Sequence, residues 1–376
     1  MTECNLGRSA QRRLIWLLAV LFSTIVLATA RVADARTIEV DTLNDPGAPG
    51  ECALRDAIFA ANTGLPVNGC SGKLGANTIV FAAGLSGTVE LTAPLPDIES
   101  DLTIEGPANS GIAISGQHAV ELISIDALGT VNSSVALRNL TFTEAESEFG
   151  GAINNNGILK VDDCTFSDNS GNGGAIVSIG TLTVTNSTFA GNTALAGAAL
   201  GATPGPAGKT VSVVNSTFYG NMAVHAGGAI FAGAVMLEIV NSTFLNNTAT
   251  NGGSIFASFT VPKLRGVILA GASAANNCFA DVNDENFNIS DDDSCSFTAG
   301  DSRNNTDPLL DPSGLADNGG PTATVALEPG SPAIDQIPKK NCPVTDQRGF
   351  RRLAPSEKTC DIGAFELGAQ PWPGKR

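Results

Sequence analysis

Cys164-Thr165-Phe166-Ser167-Asp168-Asn169 is followed by Gly173-Gly174-Ala175-Ile176, and the two phrases return as Ser187-Thr188-Phe189-Ala190-Gly191-Asn192 and Gly197-Ala198-Ala199-Leu200. Working outward, the same phrases stand at Leu140-Thr141-Phe142 with Gly150-Gly151-Ala152-Ile153, at Ser216-Thr217-Phe218 with Gly227-Gly228-Ala229-Ile230, and at Ser242-Thr243-Phe244 with Gly252-Gly253-Ser254-Ile255. A unit of about 25 residues cannot bury a core alone, so its copies must stack, and the chain reads as a solenoid.

Aligning the copies on their phenylalanines turns each offset into a column. Five residues before Phe stand Leu137, Val161, Val184, Val213 and Ile239, an apolar column that must face inward with the Phe column. Three before Phe stand Asn139, Asp163, Asn186, Asn215 and Asn241, which predict amides bonded to one another up the axis. Three after Phe stand Ala145, Asn169, Asn192, Asn221 and Asn247, which predict the left-handed backbone of a tight turn, as the Gly-Gly pairs do at the next corner. Two before Phe the column reads Leu140, Cys164, Ser187, Ser216, Ser242, so Cys164 is expected to be a buried free thiol. Short β runs broken by corners describe one coil of a parallel β-helix; a helical repeat would need longer 3.6-period stretches with less Gly and Asn. Thr78-Ile79-Val80-Phe81, Thr88-Val89-Glu90-Leu91, Leu102-Thr103-Ile104-Glu105 and Ile112-Ala113-Ile114 read as irregular earlier coils.

Arg12-Arg13, the apolar run Leu14 to Ala30, and Ala33-Asp34-Ala35 read as a secretory signal peptide over residues 1–35. An uncleaved anchor is the rival reading, disfavoured by Ser23, Thr24 and Thr29; no later segment is a membrane span. Removing residues 1–35 takes away four basic and two acidic residues and leaves 17 basic against 35 acidic, a net charge near -18. That balance argues against nucleic acid and anionic membrane as partners. Cys52 with Cys70, Cys278 with Cys295, and Cys342 with Cys360 form local couples suited to disulfides in an oxidising compartment, although six cysteines permit other pairings. No CxxC pair and only two histidines, His118 and His225, exist to build a zinc site.

A stack of strands has two open ends that need covers. Residues 36–76 read as an N-terminal cap around an amphipathic helix at 52–62, residues 77–275 as the repeats, residues 276–370 as a disulfide-closed C-terminal cap, and 371–376 as a tail.

The Gly-Gly-Ala-Ile tetrads alternating with Phe-x-x-Asn resemble the repeats of chlamydial polymorphic outer membrane proteins. Glu51-Cys52-Ala53-Leu54-Arg55-Asp56-Ala57 is similar to the opening signature of CSLREA-domain proteins, with Ala53 for Ser and Asp56 for Glu. Asp317-Asn318-Gly319-Gly320-Pro321-Thr322, Pro329-Gly330-Ser331-Pro332-Ala333-Ile334-Asp335, Asp346-Gln347-Arg348-Gly349 and Cys360-Asp361-Ile362-Gly363-Ala364-Phe365-Glu366 resemble the choice-of-anchor Q domain. These resemblances imply a right-handed, single-stranded parallel β-helix, exported and held at a bacterial surface or outer membrane, or released from it. They imply no reaction. With no barrel or sorting segment after Glu366, anchoring by the chain itself is not expected.

The function expected from the sequence is that of a non-catalytic, adhesin-like binding face, with a glycan or a cell-surface protein as partner. The alternative is a polysaccharide lyase or glycoside hydrolase, which needs carboxylates on neighbouring coils. One such pair exists: Glu144 and Asp168 stand two after Phe on adjacent coils, near Glu146 and Glu148, and read as a solvated turn before a catalytic or calcium pair. Asp291-Asp292-Asp293, with Asp281, Asp284 and Glu285, is the other place calcium could sit, but it lacks the alternation and Gly of an EF-hand loop. No catalytic, cofactor or metal-binding residue is assigned. His118 and His225 read as surface or turn residues.

Overall fold

The computed structural model describes residues 36–108, 111–129, 132–205, 208–272 and 276–372. The expected signal peptide and the last four residues of the tail lie outside the described residues.

Each regular coil lays down four short strands, as in Ile158–Asp162, Thr165–Ser167, Ser170–Gly171 and Ile176–Ser178. Every strand pairs in parallel with its counterpart one coil away, giving four faces of ten, nine, four and seven strands among the described residues. The first face runs from Arg36–Val40 to Asn283–Asp284. Its nine spacings at about 4.8 Å make a solenoid about 43 Å long.

The register is the one the columns predict: Leu137, Val161, Val184, Val213 and Ile239 lie opposite one another on the first face. On the second face Phe142, Phe166, Phe189, Phe218 and Phe244 stack with ring centroids 4.9, 4.7, 5.0 and 4.5 Å apart. Each ring is fully buried, worth about 2 kcal/mol in area removed from water. Val89 and Ile114 continue the column on the N-terminal side and Leu269 on the other, so the irregular coils keep the pattern with smaller apolar residues.

The two asparagine columns exchange the roles that the sequence predicts. Asn139, Asp163, Asn186, Asn215 and Asn241 take the left-handed backbone, with φ between 45° and 53°, at the corner joining the first and second faces. The amide ladder forms from Asn169, Asn192, Asn221 and Asn247, whose side chains link at 2.9 Å per step inside the corner after Phe. Left-handed backbone at that corner falls one residue earlier, on Glu144, Asp168, Gly191, Gly220 and Asn246. Both columns sit at corners; only the one whose Cβ points inward can stack its amides.

The helix Leu54–Thr63 covers the N-terminal end. Its Leu54, Ala57, Ile58, Ala60 and Ala61 join the same core as Ile79 and Ile104, and Gly64 ends it in the left-handed conformation. A disulfide joins Cys52 to Cys70, with Cα atoms 4.7 Å apart.

At the other end the ladder runs past residue 275, where the repeat phrases stop. Cys278–Phe279, Asn283–Asp284 and Ile289–Ser290 pair onto the coil before them, and Cys278 bonds to Cys295 across this last turn. Residues 306–372 then return along the outside of the solenoid as a strap over the corner between the first and second faces. Thr188 Oγ1 donates to Ala323 O at 2.6 Å, Thr217 Oγ1 donates to Gln347 Oε1 at 2.6 Å, and Thr243 Oγ1 accepts from the Ala364 N–H at 3.0 Å. The burial of the column records the strap: Thr141 and Thr165 are half-buried, whereas Thr188, Thr217 and Thr243 are buried. Arg352, 1% exposed, fastens it by donating to Asn215 Oδ1 at 3.2 Å, Gly363 O at 2.6 Å and Glu366 Oε2 at 3.1 Å. Arg348 pairs with Asp346 at 2.6 Å between the rings of Phe350 and Phe365. The Asp346-Gln347-Arg348-Gly349 and Asp361-to-Glu366 phrases are therefore the strap's fastening, and Cys342–Cys360 closes it.

Candidate functional site: a groove on the third face

The third face is short and thin. Glu146–Ser147, Ser170–Gly171, Thr193–Ala196 and Met222–Ala226 form it, packed beneath by Ala194, Ala198, Ala223 and Ala249. Alanines set the backbone close to the core and leave a trough of about 910 Å³ on the outside.

Two outward columns run along it. The strand register aligns Glu146, Ser170, Thr193 and Met222. Beside them Glu148 and Asn172 are tied by an Asn172 amide that donates to Glu148 O, and Leu195 and Val224 follow on later coils. Phe149 stands at the rim, 70% exposed. The trough thus grades from carboxylates through hydroxyls and an amide to apolar side chains.

Glu121 closes the acidic end. The Glu146 N–H donates to Val120 O at 3.2 Å, which places Glu121 one coil from Glu146, and Ser147 Oγ donates to Glu121 Oε2 at 3.4 Å. Burial pushes the Glu121 carboxyl up to about 7, against the Ser147 hydrogen bond and with Asp97 pushing the same way. Near neutral pH it is a half-protonated group facing an open groove.

The residues singled out by sequence are distributed differently. Glu144 and Asp168 occupy the left-handed corner, where neighbouring coils carry glycine or asparagine, and Glu144 Oε2 accepts from Ser115 Oγ at 2.7 Å. Glu146 and Glu148 enter the groove; Glu144 and Asp168 do not line it. His118 lines it from a turn with φ 55°, and His225 lies exposed on the third face. Cys164 is free and fully buried, and burial pushes its thiol up to about 12.

The acidic segment 281–293 is engaged in turn building. Asp284 accepts from the Thr298 and Ala299 N–H groups at 2.8 and 2.7 Å and from Ser302 Oγ at 2.8 Å. Asp292 accepts from Asn277 N–H and Ser294 Oγ at 2.8 and 2.7 Å. Burial raises both carboxyls, but these donors outweigh it and hold them below the ordinary range. Among the described residues no three His, Cys, Asp or Glu side chains converge as ligands of a metal ion.

The phenylalanine alignment does not mark Glu121, because its coil lacks the phrase. Phe149 did leave a signal: the position before each tetrad reads Phe149, Asn172, Ala196, Ala226 and Asn251, so one exposed aromatic breaks a small or polar column.

No curated protein matches the chain. Among solved structures it is similar to Jun a 1, the major allergen from cedar pollen, at 15% identity and a TM-score of 0.39 over 72% of this chain and 86% of that one. Residues 98–260 match the family described as a right handed beta helix region, and the solenoid is a right-handed parallel β-helix.

Proposed function

We propose that this chain is a non-catalytic, adhesin-like β-helix of the cell exterior that presents its third face as a binding surface and holds a glycan in the groove. The observation that carries this reading is that one groove brings together exposed apolar side chains, Phe149 at its rim and Leu195 and Val224 on later coils, and a polar column, Glu146, Ser170 and Thr193, at strand spacing. A sugar ring has an apolar face and a hydroxyl rim, and such a surface offers a partner for each. Three disulfides accord with an oxidising compartment, and no helix among the described residues is long and apolar enough to cross a membrane. The resemblances to bacterial surface proteins point the same way.

The test is retention of soluble oligosaccharides by the protein and by a Phe149→Ser, Leu195→Ser variant. Loss of retention with unchanged folding supports the groove; equal retention by the variant sinks it.

A second reading, glycoside hydrolysis, is favoured by Glu121. Glu121 and Glu146 lie on neighbouring coils, whose backbones run about 4.8 Å apart, and retaining glycosidases hold an acid and a nucleophile about 5 Å apart. New reducing ends that disappear in Glu121→Gln would replace the binding reading with the catalytic one.

A further inference from the structure

We infer that the groove selects uncharged glycans and rejects polyuronates, an inference that rests on the glycan-binding reading above. Among the described residues, the ionisable side chains lining the groove are Glu121, Glu146, Glu148 and His118, and neither Lys nor Arg lines it. The further charge acting on Glu121 is again a carboxylate, Asp97. A polyuronate laid along the trough would bring a carboxylate per sugar against this wall with no Lys or Arg among the described lining residues to meet it; Arg55, behind Pro94, is already paired with Asp45, and the protein's net charge is -16.

An uncharged chain meets no such barrier. Its hydroxyls find acceptors in Glu146 and Glu148, and donors or acceptors in Ser170, Thr193 and Asn172, while Phe149 takes an apolar ring face. Carboxylates accept hydrogen bonds only, so sugar hydroxyls suit them and sugar carboxylates do not. Rejecting the wrong ligand by like charge is as effective a source of specificity as a contact to the right one.

The experiment measures binding of cellohexaose, hexa-N-acetylchitohexaose and polygalacturonate to the protein in EDTA-containing buffer of moderate salt, and repeats it with a Glu146→Lys, Glu148→Lys variant. Glu146 and Glu148 are exposed, so the exchange leaves the core untouched. The expected result is binding of at least one neutral oligomer roughly tenfold or more tighter than polygalacturonate, with the preference falling by at least that factor in the variant. Polygalacturonate bound by the unaltered protein as tightly as the neutral oligomers, and lost in Phe149→Ser, would overturn the charge selection and leave the groove reading standing. Failure of all three probes would overturn both.

Discussion

The Asn192 amide donates to Asn221 Oδ1 at 2.9 Å, and the Asn192 backbone N–H donates to the same oxygen at 3.2 Å. Asn221 in turn donates to Phe189 O at 3.0 Å, so each asparagine fastens its own coil to both neighbours from within the corner. Asn221→Ala removes the partner of a buried N–H and opens a gap beside the Phe stack. The expected loss is about 2–3 kcal/mol, read from urea unfolding. A loss near zero would show that the ladder is decorative.

How much of this was legible follows from what repeats. The inward Val and Phe columns could be read directly, because burial imposes the same residue type on every coil. The asparagine columns could be located but not assigned, since identity alone does not say whether Asn215 supplies a left-handed backbone or Asn221 an amide ladder; that depends on which Cβ points inward. The strap was not legible at all. Gln347 and Arg352 lie about 130 residues from Thr217 and Asn215, with which they pair, and no period connects them. Glu121 escaped for the same reason, on a coil where Ile114 replaces the phenylalanine.

Gln347 is the strap's most connected neutral side chain. Its Nε2 donates to Thr188 Oγ1 at 2.8 Å and Thr322 Oγ1 at 2.9 Å, and its Oε1 accepts from Thr217. Gln347→Ala leaves three buried threonine hydroxyls, Thr188, Thr217 and Thr322, each short of a partner, so cleavage within residues 306–372 should accelerate by tenfold or more in limited proteolysis while the coils stay resistant. Cleavage spread evenly over the chain would show that strap and solenoid unfold as one unit.

The strap is also expected to respond to pH. One guanidinium, Arg352, donates to the Glu366 carboxyl and to the Asp361 backbone carbonyl and pulls on both buried carboxyls by its charge, and burial pushes Glu366 up to about 8 against that pull, with Asp361 pushing it further. Asp361 is itself raised by burial. Between the unfolded carboxylate value and about 8, the native state holds a proton that the unfolded chain has lost, so stability falls as pH rises through that window. A native value of about 8 against the ordinary 4.5 sets an upper bound on that loss of about 5 kcal/mol. Glu366→Gln should flatten the urea midpoint against pH in that range; an equally steep decline would assign it to other groups.

Cys164 fills a serine position, and its own N–H donates to Ser187 Oγ at 3.2 Å just as Ser187 donates to Ser216 and Ser216 to Ser242. Cys164→Ser should therefore extend that ladder and change stability by less than about 1 kcal/mol. With its thiol pushed up to about 12, the native protein should resist iodoacetamide at mildly alkaline pH and react fully once unfolded. Rapid labelling of the native state would mean that the coil opens locally at this corner.

Glu121 provides the most direct test of the proposed glycan groove. Its carboxyl, pushed up to about 7, is a hydrogen-bond donor on the acid side of that value and acceptor-only on the alkaline side. A glycan hydroxyl that accepts from the protonated form loses the bond as pH rises through 7, so affinity should fall severalfold between about pH 5 and pH 9. Glu121→Gln, which always carries a donor, should bind with little dependence on pH, and Glu121→Asp should restore the dependence at a shifted midpoint. If the unaltered protein binds equally across the range, Glu121 does not touch the ligand, and the contact surface lies farther along the groove, toward Thr193 and Leu195.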